Sequence, residues 1–377
     1  MTEYDREFYW CWFMNIKGLG PRGRRKLMDR FSHPSVIYET PLKDLSDLLT
    51  ESQIISLDSS REPLLTESYL HRLKTEGISF VHWESDRYPA RFRDLYDPPY
   101  GFYLKGKLPD PSRPAVAVVG SRNPSPYGRK MASGYASELA SRGIVIVSGM
   151  AAGIDSEAHR AALEASGETL GILGGGIDSM YPRDNWDLYL KMYRQGGIMS
   201  EYPMGVANKA GLFPMRNRLI SGISDAILVV EAAEKSGSLI TADQGMEQGK
   251  DIYAIPGRVT DLMSRGCNHL IAQGAQVAES PDVLIRDLLD LLSGRESSDL
   301  EKGSCPSERG FNGRDLPRTS DEQKILDVLD EIDPVSFDHI LSRTGMDLTK
   351  LQHLLVELEM KAFVTQTRQN MYIRKIF

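Results

Sequence analysis

No covalent or metal framework is written into this chain. Its three cysteines, Cys11, Cys267 and Cys305, are odd in number and far apart, and neither a C-x-x-C pair nor a nearby His pair accompanies them. A disulfide scaffold and a zinc site are therefore unsupported, and a reducing cytoplasm is the expected setting. Long hydrophobic runs are missing too. The longest early stretch, Phe8 to Ile16, is too short to span a bilayer and follows an acidic start, so neither a membrane anchor nor a signal peptide is expected. Nucleotide signatures are also absent from the expected places. Gly120-Ser121-Arg122, after the apolar run 115–119, is not G-x-G-x-x-G; the run ending at Val147-Ser148 carries no ribose-binding acid; and G-x-x-x-x-G-K-[ST] does not occur. Dinucleotide binding and P-loop hydrolysis are thereby disfavoured.

An excess of positive charge is lacking as well. The net charge is −7, and divided along the chain it is zero over residues 1–113, −4 over 114–290, −1 over 291–317 and −2 over 318–377. No segment is a basic domain, so a polyanion site has to be a local pocket whose potential is set by its nearest few charges.

What is present is organised in blocks. Residues 1–87 read as a helical module, in which Ile16-Lys17-Gly18-Leu19-Gly20-Pro21 followed by Arg22, Arg24, Arg25 and Lys26 resembles the turn of a helix-hairpin-helix (SAM-like) unit; the alternative is a Gly-Pro turn with a solvated basic face. The prolines between Tyr88 and Gly106 read as an extended connector. From Pro114, β-branched apolar runs recur at Ala115–Val119, Ile144–Val147, Thr169–Leu173, Ile198–Ser200, Ala226–Val230 and Ile252–Ile255, alternating with stretches of helical periodicity. This predicts an α/β domain over 88–292 with a mostly parallel sheet, and ligands at the carboxyl ends of its strands. Residues 293–319, rich in Ser, Gly, Pro and charge, are expected to be a linker. Over 320–377, three amphipathic helices and a short hairpin suggest a winged-helix-like module. It carries 8 basic against 10 acidic side chains counted from Arg318, with Lys350 facing Glu357 and Glu359 on its third helix, which favours a protein partner over DNA.

Two arginine-bearing glycine loops sit at the strand ends. In GSRNPSPYG, Arg122 directly follows an apolar strand, and the backbone N–H groups of Ser121 to Asn123 are expected to complete an anion cradle beside Gly120. In FPMRNRLISG, Arg216 and Arg218 are two apart and on a helix point about 200° from each other, so one is expected to reach the ligand and the other to secure the fold. Lys209 and Phe213, just upstream, pair a cation with an aromatic ring, as single-strand binders do. Catalytic signals are thin: Asp155, His159, Asp178, Glu201 and Glu231 lie near strand ends, but no nucleophile motif accompanies them. Asp155 and His159, four apart, read as a helix cap with a local ion pair.

Taken together, Gly120-Ser121-Arg122, Ser148-Gly149 with Ala152-Gly153-Ile154-Asp155, Tyr181-Pro182, Ser200-Glu201-Tyr202-Pro203, Phe213-Pro214-x-Arg216-Asn217-Arg218, Ser236-Gly237-Ser238 and Gly266-Cys267-Asn268 resemble, in order, the DNA-processing protein A (DprA/Smf) family. The resemblance implies a Rossmann-like domain that binds single-stranded DNA, protects incoming strands and loads the RecA recombinase in natural transformation, with no cofactor and no catalytic activity. It carries DNA contacts to Arg122, Lys209, Phe213, Arg216, Asn217 and Arg218, and a homodimer interface to about Val259–Leu284. The alternative is a nucleotide phosphoribohydrolase-like enzyme. Such enzymes use a Pro-Gly-Gly-x-Gly-Thr loop, where this chain has Glu231-Ala232-Ala233-Glu234-Lys235-Ser236-Gly237-Ser238.

Overall fold

Runs of β-branched and small apolar residues that are buried on both faces can only be satisfied inside a covered sheet, and the centre of the molecule is built that way. The computed structural model describes residues 2–289, 320–329, 335–360, 364–368 and 371–374; the expected linker 293–319 lies outside them. The chain divides into two compact units, Met1–Gly303 and Ser304–Phe377.

In the first unit, β1 (Ser79–His82), β2 (Gly101–Gly106), β3 (Ala115–Val119), β4 (Val145–Ser148), β5 (Thr169–Ile172), β6 (Gly197–Ser200), β7 (Ala226–Val229), β8 (Asp251–Ala254) and β9 (Gln276–Val277) form one sheet in the order β1-β2-β6-β5-β4-β3-β7-β8-β9. From β6 to β9 every pairing is parallel, while β1–β2 and β2–β6 are antiparallel. The six expected runs appear as β3 to β8. The stretch expected as a connector differs: Gly101–Gly106 is a strand with buried aromatic and apolar residues. Its prolines stop at Pro99, so every residue of β2 keeps an N–H to donate to its neighbours.

Helices α6 (Pro126–Ser141), α7 (Ile154–Glu164), α8 (Trp186–Gln195), α9 (Leu212–Ile223) and α10 (Gly237–Glu247) connect the parallel strands. The chain steps outward from β3 through β4, β5 and β6, then returns to β7 on the other side of β3. That reversal opens a crevice between the loops after β3 and β7.

Ahead of the sheet lie α1 (Glu3–Asn15), α2 (Pro21–Arg30), α3 (Pro34–Glu39), α4 (Glu51–Ser60) and α5 (Pro63–Thr75). Thr2 and Asp5 form a reciprocal cap on α1. The helices share one apolar core with the sheet: Trp10, Phe13 and Leu70 pack in the same cluster as Phe80 of β1, Met150, Tyr189 and Ile198. Later in this unit are α11 (Arg265–Ala272) and a helical stretch at 281–289, α12. In the second unit, α13 (Ser320–Val328), α14 (Phe337–Thr344) and α15 (Leu348–Met360) accompany a small sheet of β10 (Val335–Ser336), β11 (Val364–Arg368) and β12 (Met371–Arg374). Its own core is formed by residues such as Ile325, Ile340, Leu351 and Leu355. Among the described residues no helix is long and apolar enough to cross a membrane.

Candidate functional site

The crevice beside β3 holds a cleft of about 370 Å³. Its wall after β3 is Gly120 and Arg122, its opposite wall is Ser236–Ser238 at the start of α10, and its floor is the first two turns of α9 with Phe213, Arg216 and Asn217.

The β3 loop is held rigid from below. Ser121 N–H donates to the Glu231 carbonyl at 2.7 Å, and Ile154 N–H donates to the Ser121 carbonyl at 3.1 Å. Asn123 N–H donates to Ser121 Oγ at 3.0 Å. The buried Glu231 carboxylate accepts Ser125 N–H at 2.8 Å and its hydroxyl at 2.5 Å, while Ser125 Oγ caps α6 by accepting Gly128 N–H at 3.1 Å. The backbone N–H groups of Ser121 and Asn123, expected to cradle an anion, are thus engaged within the protein. The cation on this wall is the exposed Arg122 side chain, whose guanidinium carbon lies 5.1 Å from the centroid of the Phe213 ring. Among the described residues no carboxylate pairs with it.

Phe213 is half-buried, with the Tyr181 ring 6.2 Å away and the bare backbone of Gly174 beneath it. Tyr181, 49% exposed, is a second aromatic surface beside this site; the sequence marks its Tyr181-Pro182 pair only as part of the family pattern. The N-terminal side of α10, whose Ser236-Gly237-Ser238 enters the family pattern, forms the opposite wall with the capped start that Ser-Gly-Ser favours.

The two arginines of α9 divide as their spacing requires. Arg216 is buried under the cleft and donates to the Gly149 carbonyl at 2.7 Å and to the Ile172 carbonyl. Burial pulls its guanidinium down to about 10, with Asp155 opposing that shift. The Asp155 carboxylate accepts Gly149 N–H at 3.1 Å and Ala151 N–H at 3.4 Å, and burial raises its pKa against the pull of Arg216. A Cβ at Gly149 would press on the Arg216 guanidinium, so a larger residue there would have to displace it. Asn217 accepts from Arg216 Nε at 3.2 Å and donates to the Gly237 carbonyl at 3.4 Å, bracing the cleft floor against α10. Arg218 points away, donating to the buried Glu201 and lying 3.4 Å from the partly buried Asp97. Lys209 is exposed on the loop before α9 and does not line the cleft.

Of the remaining acid/base candidates, Asp178 is exposed and accepts Gly205 N–H at 2.9 Å, and the others are engaged inside the protein. His159 faces Thr169 Oγ1 at 2.7 Å rather than Asp155, and burial, helped by Arg216 and Arg160, pulls it down to about 3. Glu201 and Glu231 are occupied as described. What the arrangement offers is an exposed cation over an aromatic ring, in a cleft whose floor is braced by Arg216, Asp155 and Asn217.

Two family models match the chain: DNA recombination-mediator protein A over residues 79–289, and the DprA winged helix domain over 313–369. Protein Smf of Synechocystis is 30% identical over 98% of this chain and 99% of its own length. DNA processing protein DprA of Bacillus subtilis is 39% identical over 57% of this chain and 73% of its own length. Among solved structures, DNA processing protein A of Streptococcus pneumoniae superposes with a TM-score of 0.66 at 32% identity, covering 74% of this chain and 97% of that one. DNA processing protein A of Helicobacter pylori, whose structure is described for its single-stranded DNA binding mode, gives a TM-score of 0.51 at 32% identity over 56% of this chain and 96% of its own. With one model spanning more than half of the chain and a relative matching nearly all of it, the chain belongs to the DprA/Smf family of DNA recombination-mediator proteins.

Proposed function

We propose that this protein binds single-stranded DNA in the cleft between the β3 and β7 loops and, as a cytoplasmic homodimer, protects incoming strands and passes them to RecA in natural transformation. The observation that carries the reading is Arg122, an exposed guanidinium over the Phe213 ring at a topological switch point. A duplex hides its base faces, whereas a single strand offers phosphate and base together. An arginine beside an aromatic platform answers both, and stacking contributes about 1–3 kcal/mol per base. The single-stranded DNA binding mode described for the Helicobacter pylori relative supports the same reading. Self-association is supported by exposed apolar side chains within 259–284, where Val259 is 81% and Leu262 63% exposed.

The test is fluorescence anisotropy with labelled oligo-dT and with a duplex of equal length, at 150 mM salt. The single strand binds more tightly, and Arg122→Ala weakens it at least tenfold, about 1.4 kcal/mol. Equal affinity of the wild type and Arg122→Ala contradicts the reading.

A further inference from the structure

A second arginine–aromatic pair stands on the same rim, outside the cleft. Tyr96 is 79% exposed, and Arg25 of α2 lies over its ring with the guanidinium carbon 3.9 Å from the centroid. Topology fixes which end of the sheet this pair occupies. Because β2 runs antiparallel to β6, the segment entering β2 stands where β6 ends, at the carboxyl rim that also carries Arg122. The neighbouring Asp97 is tied to Arg218 of α9, whose first turn carries Phe213. Phe213 and Arg218 are five residues apart, about 7.5 Å along the helix axis.

Helix α2 presents two chemically distinct sides. On the inner one, buried Arg24 donates to the carbonyls of Phe13 at 3.4 Å and Met14 at 2.8 Å, fixing the turn between α1 and α2. On the outer one, Arg22, Arg25 and Lys26 share a face by their i, i+3, i+4 spacing. Arg25 donates to the Tyr96 carbonyl and keeps a 3.8 Å contact to Asp29, so it is accounted for as the clamp on the 94–97 loop. Arg22 and Lys26 are exposed, and among the described residues no carboxylate lies in ion-pair range of either. Internal structure therefore explains Arg24 and Arg25. It leaves two cations and the open face of Tyr96 without a role.

We infer that α2 and Tyr96 continue the single-strand track beyond the cleft, with Tyr96 stacking a base and Arg22 and Lys26 taking phosphates beside it. This rests on the cleft itself being a single-strand site. It predicts that affinity grows with strand length in a way that depends on α2.

The full-length protein is titrated with labelled oligo-dT from the short and the long end of the about 4–16-nucleotide range of single-strand sites. The variants are Arg22→Glu with Lys26→Glu, Tyr96→Ala, Tyr96→Phe and Arg122→Ala. Arg22 lies in the first turn of α2, where an acidic residue is favoured by the helix dipole, and Lys26 is exposed in the second turn, so the double variant is expected to keep α2 folded, which a circular-dichroism melt checks. The double variant should lose at least tenfold on the long strand, keep short-strand affinity within about twofold, and flatten the long-strand salt slope by about 1.4, from two phosphates at about 0.7 each. Tyr96→Ala lowers long-strand affinity and Tyr96→Phe restores it, since stacking needs the ring and not the hydroxyl. Arg122→Ala weakens both strands. An unchanged length dependence and slope in the double variant, or equal loss on both strands, overturns the extension while leaving the cleft intact. Arg122→Ala without effect on either strand overturns the cleft reading itself.

Discussion

Arg122, Arg216 and Arg218 occupy three different environments, and their substitutions should separate accordingly. Arg218 is buried against a buried Glu201 and beside Asp97. Arg218→Ala strands a carboxylate without its partner and is expected to cost about 3–5 kcal/mol in urea unfolding. Arg122 is exposed and pairs with no carboxylate among the described residues, so Arg122→Ala should change stability by less than about 0.5 kcal/mol while weakening DNA. His159 supplies a pH test. Its unfolded imidazole protonates near 6.5 and its folded one only near about 3. Between those values the unfolded chain binds the extra proton, so stability falls as pH drops through the interval, by at most about 1.4 kcal/mol per pH unit from this group. Urea midpoints measured from pH 7 to pH 4 should decline, and His159→Gln should flatten the decline. At this scale the sequence was informative about direction but not about partners. The two-residue spacing of Arg216 and Arg218 required them to diverge, and they do. That Ser121 N–H would be taken by the Glu231 carbonyl had no local signature, because the acceptor lies 110 residues further along the chain.

At the scale of elements, β3 to β8 were legible to within a residue or two at their ends, since each is a β-branched run buried on both faces. β1 was not, because it lies within 1–87, which read as helical, and β2 was not, because the prolines ahead of it suggested a connector. The crevice was legible only as a set of glycine-rich strand ends. Its choice among them follows from the strand order, which one sequence does not display. The second unit carries its own prediction. Lys350, on the helix that would enter a DNA groove, is paired with Asp321 at 2.6 Å, and Asp321 also accepts from Lys324 at 3.1 Å. With that cation engaged and the module net acidic, removal of residues 318–377 should leave single-strand affinity within about threefold. A tenfold loss, about 1.4 kcal/mol, with the first unit still folded by circular dichroism, would assign DNA contact to this module instead.

For the whole molecule, the net charge of −7 means that long-range attraction cannot deliver a polyanion to an arbitrary surface. Binding has to be local, and pairing two clefts in a dimer raises avidity without any new kind of contact. Light scattering of the full-length protein should give a dimer mass, and Leu262→Glu, which places a charge on an exposed apolar position of the 259–284 stretch, should shift it toward monomer. The central claim is narrower: a base stacks where Phe213 and Arg122 meet. It is tested most directly by photo-cross-linking an oligonucleotide carrying 5-iododeoxyuridine to the full-length protein and locating the adduct by mass spectrometry. The account predicts an adduct on Phe213 that disappears in Phe213→Ala and diminishes in Arg122→Ala. Adducts confined to residues 320–377, or unchanged by both substitutions, would contradict it.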